Sequence, residues 1–327
     1  MTSTSTTSVI SILGASDAIA SVRRQVELVA RSRLPVVIEG ETGTGKELVA
    51  QAIHAGSGRR GAFIAVNASA IPDTLFEAEM FGYRRGAFTG AASSSEGLVR
   101  AARDGTMLLD EIGSLALPLQ AKLLRVIDTG RVSALGTTSS VPVDVRYVAA
   151  CNSDLEAAVG AELFRSDLWY RLQGFRIVLP PLRERRMDIP VLAGHFVAAA
   201  AAEGMAPLAS LAPSGAQVLQ RHDWPGNVRE LRLVVVRAMV LTSNRVLDSD
   251  VIIEALAMSN MRTSPVGVRA TTSEAAELRA FLESCDWDTL RAAAALGVTR
   301  KTIYARIRRL GLTIPRKWHR RRIAGAA

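Results

Sequence analysis

Cysteine is nearly absent. Cys151 and Cys285 are the only two in 327 residues, which excludes a disulfide scaffold and a Cys-based metal centre and fits a reducing, cytoplasmic setting. The four histidines, His54, His195, His222 and His319, are scattered without ligand spacing. No apolar run is long enough for a bilayer: the Ala-rich stretch from Val191 to Ala202 is short and interrupted by His195, and it predicts a packed helix instead. The Ser/Thr tract from Met1 to Ser8 lacks both a basic and an apolar region, so it is not a secretory signal. Acidic residues are missing altogether from Val298 onward.

That last gap coincides with an excess of the opposite sign. Ten of the basic residues fall after Val298, so setting them aside turns the formal +9 of the chain into −1 for the rest. The basicity is a C-terminal property and points to a polyanion bound there. Hydrophobic residues make up 48% of the chain, which with this length predicts a globular protein of two or three domains.

Ser16 is placed to cap a helix from Asp17 to Ala30 whose Ile19, Val22, Val26 and Val29 share one face. Strand candidates follow at Val36–Ile38, Phe63–Val66, Met107–Leu109, Val145–Ala149 and Phe175–Leu179, separated by helical stretches. The alternation predicts an α/β fold with a mainly parallel sheet. From about Asp188 to Met258 the pattern is helical with no convincing strand, residues 259–272 read as a linker, and the end is helical and basic.

Two motifs carry chemistry. Gly40-Glu41-Thr42-Gly43-Thr44-Gly45-Lys46 follows a strand and opens a helix. Glycines let backbone N–H groups turn toward phosphate, the helix N-terminus adds positive potential, and Lys46 can reach the β- and γ-phosphates. Glu47 stands where such loops usually carry a Ser or Thr. Gly105-Thr106-Met107-Leu108-Leu109-Asp110-Glu111 is an apolar strand delivering two carboxylates. Asp110 is placed to hold Mg²⁺ through water and Glu111 to polarise an attacking water. Between them lies Gly86-Ala87-Phe88-Thr89-Gly90-Ala91, a Gly-bracketed turn with one aromatic.

Near the C-terminus, a short helix from Thr289 to Leu296 with Ala292, Ala293 and Leu296 inward, a turn at Gly297 and a second helix from Thr299 to about Leu310 suggest a helix-turn-helix.

With the phosphate loop and the Asp-Glu strand, the hexapeptide resembles the signature loop of the bacterial enhancer-binding proteins, the AAA+ ATPases that activate sigma-54 RNA polymerase. Gly-x-x-Gly-Thr-Gly-Lys-Glu is that family's usual loop, so Glu47 is no departure from it. The resemblance runs from Ile12 to Gly311 and implies a core over 13–185, a helical lid over 186–258 and a Fis-type DNA-binding domain over 273–327. It further implies ATP and Mg²⁺, a ring of six or seven subunits, enhancer DNA and sigma-54 holoenzyme as partners, and roles for further residues. Asn67 matches the switch Asn that contacts the catalytic Glu, and Asn152 matches sensor I. Arg165 and Arg171 match the segment that reaches into a neighbour's site, and Arg229 in Trp224-Pro225-Gly226-Asn227-Val228-Arg229 matches sensor II. Residues 77–85 and a segment after Ala91 are expected to be helical arms carrying Phe88. Arg300, Lys301, Thr302, Tyr304 and Arg306 are expected to face DNA. Because the motor begins almost at Met1, control by a separate protein is expected. Two alternatives stay open: a DNA-binding repressor with a vestigial AAA+ core, and a generic remodelling ATPase.

Overall fold

The computed structural model describes residues 12–88, 91–152, 154–263 and 272–285, with Trp287, Arg291, Ala292 and Ala295. The chain divides into two units, before and after residues 258/259.

In the first unit, five parallel strands form a sheet: β1 (Val36–Glu39), β2 (Phe63–Asn67), β3 (Thr106–Asp110), β6 (Arg146–Cys151) and β7 (Phe175–Val178), in the order β2-β3-β6-β1-β7. Successive residues face opposite sides, and the two cores follow that alternation. Val36, Ile38, Leu108, Val148 and Ala150 pack against α1 (Asp17–Ala30) and α2 (Lys46–Gly56). Val37, Met107, Leu109, Tyr147 and Ala149 pack on the other side against α3 (Asp73–Phe81), α5 (Leu117–Thr129) and α7 (Ser166–Leu172). Helix α1 starts where the sequence predicts: the Ser16 hydroxyl accepts from Ile19 N at 3.3 Å, and Ile19, Val22, Val26 and Val29 are buried.

Two short helices, α4 (Leu98–Ala101) and α6 (Leu155–Gly160), complete the core, and a small hairpin of β4 (Arg131–Val132) and β5 (Val141–Pro142) precedes β6. The lid then packs α8 (Ile189–Ala202), α9 (Pro213–Arg221), α10 (Asn227–Leu241) and α11 (Ser249–Thr263) around Trp224, Leu231, Val235 and Leu247. The Ala-rich stretch is indeed a packed helix, α8, with Leu192, Ala193, Val197 and Ala200 buried. Contrary to the all-helical reading, the lid holds a two-stranded parallel pair, β8 (Ser210–Leu211) with β9 (Val246–Leu247). Such short pairs leave no alternating pattern for a sequence to show. Helix α11 continues to Thr263, into the stretch read as a linker.

In the second unit, α12 (Thr272–Ser284) contributes Leu282, which is buried together with Ala292 against Leu278, Phe281, Cys285 and Trp287. The expected DNA-facing residues Arg300, Lys301, Thr302, Tyr304 and Arg306 lie outside the described residues, as do Ala293, Leu296 and residues 1–11. Among the described residues, no helix is long and apolar enough to cross a membrane.

Candidate nucleotide site and its loop

Ligands of open parallel sheets sit beyond the carboxyl ends of the strands, and every core residue of the candidate constellation is found there. Across the edge, Asn67 ends β2, Asp110 and Glu111 end β3, Cys151 and Asn152 end β6, and the glycine loop ends β1. Strand β6 lies between β1 and β3, which sets the loop and the carboxylates on either side of Asn152.

The loop has the form of a phosphate cradle. Gly45 caps α2 with φ +107°, a region closed to most side chains, and the first-turn N–H groups of α2 have no partner within the helix. Lys46 is half-buried, and its Nζ donates to Gly40 O at 2.8 Å and Glu41 O at 3.1 Å. Burial lowers the Lys46 pKa, and Arg229 adds to the lowering, while Asp110, Cys151 and Glu111 oppose it. The two carboxylates and Arg229 are therefore electrostatic neighbours of the ammonium. This donor set fits a triphosphate with a divalent cation: N–H groups and a lysine on one side, carboxylates on the other.

Glu111 sits at φ +53°, left-handed for a residue with a side chain. Such strain collects at functional positions. The Asp110 carboxylate accepts from Glu111 N at 3.0 Å. Asn152 Nδ2 lies 3.5 Å from Thr42 Oγ1, so this side chain reaches the glycine loop. Asn67 instead turns to its own loop, its Oδ1 accepting from Ser69 N and Ser69 Oγ.

The sequence-matched loop residues divide by task. Thr44 is buried, donating its hydroxyl to Glu41 O at 2.8 Å. The Glu47 carboxylate accepts from Gln51 one turn along α2. Glu41 does not face the cradle through its side chain. Its carboxylate takes a two-pronged ion pair from Arg183, at 2.9 and 2.6 Å, and a bond from Asn227 Nδ2 at 3.0 Å. Arg183 first, then Asn227, hold its pKa below the ordinary 4.5.

Asn227 belongs to a set of contacts the sequence did not reveal. Arg185, buried, donates to Thr44 O at 2.9 Å. Asp188, also buried, accepts from Ala15 N, Ser16 N and Ser16 Oγ. The partners stand up to 186 residues apart in the chain, so no local pattern announces them. Beside this clasp opens a cavity of about 370 Å³ lined by Ile12, Leu13, Leu179, Leu192, Phe196 and Val228, with Arg185 and His195 as polar members. It is mainly apolar and lies against Thr44 and Gly45.

Arg165 and Arg171 are exposed and sit in surface ion pairs, Arg165 with Asp167 at 2.7 Å and Arg171 with Asp128 at 2.9 Å. Arg229 begins the lid helix α10 directly over the loop, its N–H and that of Val228 donating to Gly43 O at 3.3 and 3.0 Å.

The hexapeptide lies in an insertion between β2 and β3. Gly86 (φ +83°) opens it, Gly86 N donates to Ala91 O, and Ala91 N donates to Phe88 O, both at 3.0 Å. Thr89 and Gly90 lie outside the described residues. Phe88 is 42% exposed and leans edge-on against Tyr83, ring centres 5.1 Å apart. The expected pair of helical arms is corrected here. Helix α3 stops at Phe81, and Tyr83 pairs with Ser95 as an extended bridge. Gly82 and Gly97 cause this: both have positive φ, and a Cβ on Gly97 would strike Gly82 N. The insertion rests on the β4–β5 hairpin, with Arg84 N donating to Leu135 O, Leu135 N donating to Gly82 O, and Gly136 packed on Ala87.

Comparison with known proteins agrees with this layout. Residues 12–178 match the family described as Sigma-54 interaction domain. The chain belongs to the sigma-54 activator family. Residues 183–267 match the AAA+ ATPase lid domain, and residues 271–310 match the Bacterial regulatory protein, Fis family. The fold is thus AAA+, with a helical lid and a C-terminal helix-turn-helix segment. Regulatory protein AtoC of Escherichia coli (strain K12) is 38% identical over 92% of this chain and 68% of its own length. Transcriptional regulatory protein ZraR of the same strain is 39% identical over 93% of this chain and 70% of its own. The nitric oxide reductase regulator NorR of Aeromonas hydrophila is 48% identical over 70% of this chain but only 46% of its own. Among solved structures, NtrX from Brucella abortus in complex with ATP superposes with a TM-score of 0.67 at 32% identity, covering 92% of this chain and 69% of that one.

Proposed function

We propose that this protein hydrolyses ATP to remodel sigma-54 RNA polymerase at promoters, from a site on upstream DNA. The observation that carries the reading is the assembly on one sheet edge of the glycine loop, Lys46, Asp110 and Glu111, joined through β2 and α3 to the hexapeptide loop. NtrX binds ATP in a structure of the same fold at 32% identity, which supports ATP as the nucleotide.

In this reading the loop N–H groups and Lys46 bind the β- and γ-phosphates, and the apolar cavity takes the base. Glu111 accepts a proton as a water oxygen bonds to the γ-phosphorus and the bond to the β,γ-bridging oxygen breaks, giving ADP and phosphate. Asp110 would hold Mg²⁺ through water, and the ion would supply neutralisation of phosphate charge. Asn152 orients the water. Arg165 and Arg171 serve the neighbouring subunit of a ring. Their present partners are in exposed, solvent-screened ion pairs, so exchanging them for phosphate costs little.

Output follows two routes from the nucleotide edge. Asn67 leads through α3 to the hexapeptide, and β6 leads back to the hairpin on which that loop rests. Phe88 offers an apolar contact to sigma-54. The basic C-terminal segment, with Arg300, Lys301, Thr302, Tyr304 and Arg306, reads enhancer DNA in the major groove. The test is open-complex formation on a promoter carrying the bound site. ATP-dependent opening with sigma-54 holoenzyme and none with sigma-70 holoenzyme is expected. Equal action on both, or on neither, contradicts the reading.

A further inference from the structure

We propose that Asn227 is the positioning residue that sets Arg229 over the phosphates and thereby ties lid placement to nucleotide, an inference that rests on the ATPase reading above. Asn227 is fully buried and stands at φ +52°, a conformation that asparagine tolerates better than most residues. Its side-chain amide makes three hydrogen bonds across an element boundary. Oδ1 accepts from Leu182 N at 2.8 Å, at the turn joining core to lid. Nδ2 donates to Glu41 Oε2 at 3.0 Å and Thr42 O at 3.1 Å, both on the glycine loop. Its backbone N–H returns to Trp224 O at 2.8 Å, closing the turn that opens α10.

One side chain thus pins the first turn of the lid helix to the phosphate cradle. The next two N–H groups, of Val228 and Arg229, donate to Gly43 O. The fit is tight, since a Cβ on Gly43 would strike Gly226 O and stand 3.2 Å from Arg229 Cβ. Arg229 therefore projects from a helix start whose position over the loop is set by three amide bonds, and its charge is felt at Lys46. Glu41, held by Arg183 through both of its carboxylate oxygens, is the anchor on the loop side. A side chain that only stabilised the turn would have no need to reach the cradle.

The test is a double-mutant cycle between Asn227→Gly and Arg229→Ala, read in kcat/KM for ATP and in affinity for a fluorescent ATP analogue, on the full chain. Glycine keeps the left-handed backbone and removes the amide. Asn227→Gly alone is expected to lower kcat/KM on the order of 10²-fold, as misplacement of a catalytic group does. In the Arg229→Ala background the same change should add less than about twofold, because residues acting as a unit are not additive. Penalties that multiply overturn the proposal, as does a single variant with wild-type constants. If Asn227→Gly melts early, Asn227→Asp repeats the cycle: it keeps the acceptor for Leu182 N, loses the donors to the loop and sets a second carboxylate against that of Glu41, so it breaks the same anchor more strongly. A wild type that binds nucleotide without hydrolysing it defeats the ATPase reading alone, since the affinity cycle still decides Asn227.

Discussion

At the scale of single residues, the proposed site divides into groups assigned to the reaction and groups that hold those groups still. Glu111 belongs to the first. Glu111→Gln keeps the shape and removes the base, so turnover should fall by about 10²–10⁴-fold while the affinity for a fluorescent ATP analogue stays within a few fold, measured by titration and phosphate release. Cys151 belongs to the second. It is buried, and burial first, with Glu39 adding to it, pushes its thiol up to about 12. In a Cys285→Ser background the thiol should resist alkylation at pH 8 in the folded state and react fully in denaturant. Fast labelling of the native protein would show that the edge of β6 opens. Because the folded thiol ionises later than its ordinary 9.0, this group's contribution is intact below pH 9 and is lost as pH rises toward 12. The motif residues were legible in the sequence because glycine spacing and an apolar strand ending in Asp-Glu are local patterns. Asn227, Arg183, Arg185 and Asp188 were not, since their partners are distant in the chain and an Asn in a Pro-Gly turn looks like turn chemistry alone.

At the scale of elements, the clasp between lid and loop has a pH signature. Arg183 and Asn227 depress the Glu41 pKa below 4.5. The contact is therefore fully formed above that value and is lost as pH falls through the depressed one. Glu41→Gln should flatten the acid side of a nucleotide-affinity profile below the ordinary 4.5 of Glu41 relative to wild type; identical profiles would show that the carboxylate does not matter to binding. The base of the hexapeptide insertion is the other hinge of the account. Gly97 stands at φ +79° against Gly82 N, and Gly97→Ala adds both strain and a clash there. A loss of at least about 1 kcal/mol is expected, visible as a lowered Tm, with loop output hurt before turnover. These glycines explain why the sequence suggested helical arms and the structure shows an extended bridge. The apolar residues around Met80 do form a helix, but positive φ at Gly82 ends it, and periodicity cannot see a backbone contact. The five strands of the parallel sheet, by contrast, were legible to within two residues at each end, because both faces of a parallel sheet are buried and read as short apolar runs.

At the scale of the whole molecule, the proposed chemistry calls for Arg165 and Arg171 to act at the γ-phosphate of a neighbouring subunit. The Arg165 and Arg171 side chains are exposed and form ion pairs with Asp167 and Asp128 of their own chain. Turnover per subunit should therefore rise with protein concentration and level off once rings form. Arg171→Ala should keep nucleotide affinity within a few fold while lowering turnover on the order of 10³-fold; turnover independent of concentration would mean each subunit is complete alone. The central claim couples that hydrolysis to Phe88, the half-exposed aromatic seated on Tyr83. The most direct measurement pairs two assays on Phe88→Ala: phosphate release, and open-complex formation by sigma-54 holoenzyme on the bound promoter. The account predicts phosphate release within about twofold of wild type and no open complex. Normal promoter opening by this variant, with ATP consumed as before, would contradict it.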